Sequence, residues 1–292
     1  MAKNTFDLAI IIVTYNSEFW LEKTLHSLNQ WYLQKTKRRV AVIVVDNNSV
    51  DSTEAMVAKQ FPWVQFQKLQ ENTGFAAANN RGISMVAAKY YLLLNSDIEL
   101  SEHSNLDTLI NFAAKRKDVG VISPRLVFSD GRTDMACHRG EPTLWASLSY
   151  FLGLEKFFPQ SPTFAQYHQT YKDMDTIHTI DACSGAALLV KQTALKQVGP
   201  LDERFFMYAE DLDWCKRFRD AGFLIVYHPG VVLIHHKYKS GLKNASQKIA
   251  KQTKRHFFDT MLQYYDKHYI DTYPRIFRWF VKVFIVVRKG AV

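Results

Sequence analysis

The feature that most constrains this chain is a series of apolar runs, each of which stops at a polar cluster. Leu8 to Val13 ends at Thr14-Tyr15-Asn16, and Val40 to Val45 ends at Asp46-Asn47-Asn48-Ser49. Val64 to Phe66 leads to Asn72-Thr73-Gly74, and Tyr90 to Leu94 leads to Asn95-Ser96-Asp97. Runs without polar alternation read as strands buried on both faces. Between them, Leu21, Leu25 and Leu28 recur at helical spacing behind the capping candidate Ser17. Asp51 or Ser52 is positioned to start a second helix, and a third is expected from about Ala76 to Ala88. Strand and helix alternating in this way predict an α/β fold with a mostly parallel sheet flanked by helices. All four polar clusters then lie at carboxyl ends of strands, where open parallel sheets bind ligands.

Beyond residue 120 the pattern loosens. Ser129-Asp130-Gly131 reads as a hairpin turn between short strands, and 139–178 is aromatic-rich and irregular. A strand at Ala186 to Val190, a helix from Glu210 to Ala221 closed by Gly222, and a strand region over 223–234 follow. The 292 residues are 47% hydrophobic and 22% charged, a soluble globular composition with ample core. A formal net charge of +9 calls for an anionic partner without choosing among phosphorylated substrate, lipid and nucleic acid. No zinc spacing, helix-turn-helix signal or RNA-binding aromatic pattern supports nucleic acid, so none is expected. The three scattered cysteines, the lack of a signal-peptide pattern and the lack of a membrane-length apolar run all favour a cytoplasmic protein.

Two constellations carry chemistry. Asn95-x-Asp97 puts a carboxylate at the end of a deeply apolar strand. One such Asp suffices for Mg²⁺ or Mn²⁺ when phosphates supply the other oxygens, although an Asp in this place is more often a cap. Glu210, Asp211 and Asp213 fall within four positions; they are either a charged first helical turn or a general base with its neighbours. His235-His236, followed by Lys237, Lys239 and Ser240, suggests an anion or metal contact.

In order and spacing these segments resemble family 2 glycosyltransferases of the GT-A fold, and among them the rhamnosyltransferase-like branch. The matching stretches are IIIVTYNS at 10–17, VVDNNSVDST at 44–53, NTGFAAANNRGI at 72–83 and LLLNSDIEL at 92–100. DACSGAALLVKQ at 181–192, FFMYAEDLDWCKR at 205–217 and HHKYKSG at 235–241 continue the series. The resemblance implies a catalytic domain over 1–241, with a nucleotide half at about 1–100 and an acceptor half at about 101–241. It implies that Asp46 meets the donor base, with Thr14, Tyr15, Asn16 and Asn48 framing the nucleoside. Gly74 would let backbone approach the nucleotide, Asn79 would lie near ribose or diphosphate, and Asn95 with Asp97 would form the metal motif. Asp211 would be the catalytic base, with Glu210 and Asp213 as its acidic surroundings. His235 would complete the metal or diphosphate site, with His236 left open as the alternative. The implied reaction is inverting transfer of a sugar from a nucleotide diphosphate donor, dTDP-rhamnose before UDP-sugars, to a glycan or lipid-linked acceptor.

Residues 242–292 form a basic, aromatic appendage. Ile249, Phe257, Met261 and Tyr265 mark one helical stripe, with Lys248, Lys251, Lys254 and Arg255 beside it. Arg275 to Lys289 alternates bulky apolar residues with Arg278, Lys282 and Arg288. That pattern suits a helix lying on an anionic membrane surface, or a homodimer contact. A peripheral place on the inner face of the membrane follows from the first of these.

Overall fold

The computed structural model describes residues 5–237 and 247–290. Its centre is one mixed sheet. β1 (Phe6–Thr14) lies between β2 (Val40–Asp46) and β4 (Ala88–Asn95), parallel to both, and β3 (Gln65–Lys68) extends the parallel set beyond β2. The connecting helices are α1 (Glu18–Leu28), α2 (Thr53–Gln60) and α3 (Gly74–Ser84). Leu8 to Ile12 of β1 and Leu92 and Leu93 of β4 are wholly buried, as runs without polar alternation require.

After β4 the short β5 (Ile98–Glu99), α4 (Leu106–Lys115) and β6 (Val119–Val127) follow. Next come α5 (Leu144–Phe151), α6 (Leu154–Phe157), β7 (His178–Ile180), β8 (Ala187–Lys191) and α7 (Gln192–Val198). The domain then runs through α8 (Glu210–Asp220) and β9 (Leu224–His235). β8 inserts antiparallel between β4 and β6, and β9 runs parallel to β6. Along the edge of β9, its first half pairs with β7 and its end with β5. Two helices complete the described chain, α9 (Gln247–His268) and α10 (Arg275–Gly290).

Several local expectations are corrected. The third strand is Gln65–Lys68, and α3 ends at Ser84, so β4 begins two residues before Tyr90. Ser17 occupies the cap position of α1 without a side-chain cap bond; the Glu18 N–H instead donates to Asp51 Oδ2 at 3.1 Å. The turn at Ser129-Asp130-Gly131 forms, but its flanks meet only through an isolated bridge between Val127 and Thr133. Lys239 and Ser240 lie outside the described residues, as does the 241/242 domain boundary. The side chains of Lys248, Ile249, Lys251, Lys254, Arg255 and Arg288 also lie outside what is described.

Candidate functional site

β2 lies on one side of β1 and β4 on the other, so a crevice opens at the carboxyl ends of β1 and β4. Register places Thr14 against Asp46 and Val13 against Asn95 at that edge. Asp46 is fully buried, and its carboxylate accepts the Ser49 N–H at 3.1 and 3.3 Å as well as the Ser49 hydroxyl. Ser49 Oγ in turn accepts the Asn16 N–H at 2.8 Å, and the Val50 N–H donates to Asn16 Oδ1 at 2.9 Å. Asn16 and Asn48 hold φ of 48° and 68°, a region Asn enters more readily than most residues. This laced pair of loops leaves Tyr15 exposed at the rim.

Two residues expected at the nucleotide are engaged with protein groups. Asn79 is buried within α3, and its side-chain amide donates to the Phe75 carbonyl one turn earlier at 2.9 Å. The helical repeat turns it toward the sheet. What comes close to Gly74 is protein: at φ +86° a Cβ there would stand 2.3 Å from the Phe206 carbonyl oxygen. The Phe75 N–H donates to that same oxygen at 2.8 Å.

The second corner is built by β5. Ile98 pairs with His235, and the His236 N–H donates to the Asp97 carbonyl at 2.9 Å. His235 Nε2 thereby comes 3.4 Å from Asp97 Oδ1, while its Nδ1 lies 2.8 Å from Asp134 Oδ2. All three side chains are almost wholly buried. Burial works against protonation of His235, but hydrogen bonds to Asp134 and Asp97 outweigh it and raise its pKa. For Asp134 burial pushes upward, yet His235 and Lys237 hold it at about 2. His236 faces away, stacked on Trp20 at 4.6 Å and 2.7 Å from Glu99 Oε2. Of the two histidines, His235 is the one beside Asp97.

Among the described residues no three His, Cys, Asp or Glu side chains converge as a metal cage. One buried carboxylate facing a cavity suits a hard cation that takes its remaining oxygens from a diphosphate. Asp97 fits such an ion, with His235 beside it.

The third corner is the start of α8. Tyr208 and Ala209 both adopt left-handed conformations, with φ of 72° and 64°. Such strain persists only where surrounding packing over-determines it. Asp211 Oδ2 accepts Arg139 Nη2 at 2.6 Å and the Gly185 N–H at 3.2 Å, while Oδ1 accepts the Leu212 N–H at 2.8 Å. Gly185 is needed here, because a Cβ would stand 2.8 Å from the Phe75 ring. Glu210 is buried beside Asp211, and burial first, then the neighbouring charge, pushes its pKa up to about 8. Asp213 does not join them. It is completely buried, with Arg217 Nε at 2.9 Å, Lys267 Nζ at 2.5 Å and His268 Nε2 at 2.7 Å, and it fastens α9 to α8. The acidic cluster therefore splits by helical position.

Asn95, Asp97, Asp134, His235 and Lys237 line a cavity of about 1520 Å³ together with Arg139, Glu210 and Asp211. α5, α9 and α10 add apolar lining through Leu148, Phe151, Tyr264, Phe280 and Ile285. Asp134 and Arg139 were missed by the sequence reading. Both sit in the irregular segment after β6, where no periodicity or motif marks them.

A family model described as glycosyl transferase family 2 matches residues 9–189. The chain belongs to that family. It is a glycosyltransferase. It is 29% identical over 254 residues to an N-acetylglucosaminyl-diphospho-decaprenol L-rhamnosyltransferase of Mycobacterium tuberculosis, covering 83% of this chain and 80% of that one. To the rhamnosyltransferase WbbL of Escherichia coli it is 27% identical over 242 residues, covering 78% and 83%. Among solved structures, a mannosyltransferase from Pyrobaculum calidifontis in complex with GDP-Man and Mn²⁺ superposes with a TM-score of 0.59 at 17% identity. That alignment covers 96% of this chain and 69% of the other, and it confirms a GT-A type sheet.

Proposed function

We propose that this glycosyltransferase moves L-rhamnose from dTDP-rhamnose to a lipid-linked glycan acceptor, in a single inverting displacement. The observation that carries the reading is that Asp97 and Asp211 line the same cavity from opposite halves of the chain. The nucleotide half, about 1–100, would hold the donor between the Thr14–Asn16 and Asp46–Ser49 loops, with Asn95 at the crevice. The acceptor half, about 101–241, supplies the base, and 242–292 would sit against an anionic membrane. Rhamnose is favoured by the names of the two rhamnosyltransferases it resembles, and a lipid carrier by the decaprenol in the name of the mycobacterial one. Mn²⁺ in the mannosyltransferase complex supports a divalent ion.

Asp97 would hold Mg²⁺ or Mn²⁺, and that ion would supply positive charge against the diphosphate as it leaves. Lys237 adds a cationic donor and His235 a ring nitrogen to the same cavity lining. Asp211 would accept the proton of the acceptor hydroxyl as that oxygen attacks the anomeric carbon and the sugar–phosphate bond breaks. Arg139 and two backbone N–H groups fix the orientation of the carboxylate before substrate arrives. Preplaced charge of this kind is usually the largest catalytic contribution.

Calorimetric titration of dTDP and UDP into the protein, with and without Mn²⁺, tests the donor site. Metal-dependent binding of dTDP, lost in Asp97→Ala, is expected. Binding of UDP alone would move the donor to the UDP-sugars, and no binding of either would overturn the reading.

A further inference from the structure

The cavity takes part of its apolar lining from two elements far apart in sequence, α5 and α10. On α10, Ile276, Trp279, Val283 and Val286 are exposed along one face, while Ile285 is buried and Val281 packs inward. On α5 and its C-terminal residue, Trp145, Leu148 and Leu152 recur at helical spacing and are exposed as well. Phe157, at the end of α6, is 77% exposed. The two elements share a base: Leu144 of α5 and Val281 of α10 pack on one buried cluster of Phe205, Tyr264, Tyr265 and Tyr269. Leu148 and Phe280 line the same cavity.

A monomer in water does not gain from exposing such an array around a cavity that leads to its candidate base. Charge indicates the occupant. The sequence of α10 carries Arg275, Arg278, Lys282, Arg288 and Lys289 and no carboxylate, and of these Arg278 is paired with Asp266 of α9 at 2.7 Å. The α5–α6 segment offers exposed Lys156 beside Phe157, and its one acid, Glu155, is engaged 2.5 Å from His168 Nδ1. Aromatic and aliphatic residues ringed by cations are the makeup of an interfacial surface for anionic lipid.

We infer that α5 and α6, through Trp145, Leu148, Leu152 and Phe157, form with α10 a single two-part surface that seats on an anionic phospholipid bilayer. Seated there, the cavity mouth opens onto the membrane, and an acceptor enters from the lipid phase and not from solution. The segment over 139–178 thereby gains a role as the second foot of the enzyme. This rests on the membrane-linked acceptor proposed above.

The full chain is sedimented with vesicles of phosphatidylglycerol and phosphatidylcholine, and with phosphatidylcholine alone. Binding to the anionic vesicles is expected, and Leu152→Ser with Phe157→Ser should weaken it by about tenfold. Both positions lie off the cavity lining, so the variant should bind dTDP or UDP as the parent does. Position is read separately. The native cysteines Cys137, Cys183 and Cys215 are all buried, so a nitroxide placed at Phe157→Cys labels selectively. On anionic vesicles that label should become accessible to oxygen and shielded from a water-soluble nickel chelate. A label at Lys117→Cys, before β6 at the opposite end of the sheet, should stay in water. The proposal is overturned by absent vesicle binding, by unchanged binding in the double variant, by a label at 157 that stays in water, or by a dimer that buries the patch. Any of these with nucleotide binding intact sinks this surface alone, whereas lost nucleotide binding in the parent sinks the donor reading.

Discussion

Glu210 and Asp211 are adjacent carboxyls with different environments. Asp211 has a guanidinium and two N–H groups, while one buried oxygen of Glu210 has no hydrogen-bond partner among the described residues. Asp211→Asn keeps the shape and removes the base, so turnover should fall roughly 10²–10⁴-fold with nucleotide affinity unchanged. A comparable loss of nucleotide affinity would show that Asp211 serves the donor instead. Glu210 makes a separate prediction. Its folded pKa of about 8 lies above the ordinary 4.5. Below 4.5 the group is protonated in both states, so its burial carries no charge penalty. As pH rises through the window between those values the unfolded chain ionises first, and stability drains away until the folded carboxyl also ionises. Glu210→Gln should therefore shrink the fall in Tm between about pH 5 and about pH 8.5. A Tm profile parallel to the parent's would refute the neutral, buried Glu210. The acidic run was visible in the sequence, but only the family resemblance singled out Asp211 within it. Arg139 was not legible, because a lone Arg in an irregular segment carries no spacing that marks a buried partner.

At the scale of elements, β1, β2 and β4 were readable because full burial leaves continuous apolar runs, whereas the polar, partly exposed β3 was placed a residue or two early. The antiparallel direction of β8 was not readable, since a fully buried strand has the same composition in either direction. The separation of Asp213 from its neighbours follows from helix geometry, because a residue two positions on turns about 200° away. Arg217 is the i+4 neighbour of Asp213 on α8, but Lys267 and His268 come from α9, more than fifty residues downstream, which no local pattern reveals. Burial opposes ionisation of Asp213, but His268 and Lys267 hold its pKa below the usual carboxylate range. Asp213→Ala leaves those cations facing a buried void, and removing one member of a buried pair costs about 3–5 kcal/mol. The expected result is a lower Tm together with faster hydrogen exchange along Tyr264 to Tyr269, while Asp211 chemistry survives in the folded fraction. Exchange unchanged in α9 would show that the apolar cluster under it suffices.

The two halves are joined along the β4–β8 pairing, and one further contact between them sits beside the candidate base. Asn47, after β2, donates to the Gly74 carbonyl at 3.0 Å and accepts the Thr73 N–H at 3.1 Å. Phe206, just before the strained Tyr208-Ala209 entry to α8, accepts the Phe75 N–H at 2.8 Å. The donor loop and the base-bearing helix thus share one backbone junction, closed over a residue without a side chain. A methyl group at Gly74 meets the Phe206 carbonyl and also forces φ into a region costing about 1–3 kcal/mol. Gly74→Ala should therefore do more than lower Tm. Pushing Phe206 outward displaces the start of α8, so turnover should fall along with donor affinity, although residue 74 carries no reacting group. Gly222→Ala is the control: it is strained by a similar φ of 85° but has nothing within 4 Å of its added methyl, so it should lower Tm alone. Equal kinetic losses in the two variants would mean that the junction transmits nothing beyond general destabilisation. A loss confined to Gly74→Ala would mean that donor loop and base move as one body, which a single-step displacement requires of groups that share one cavity.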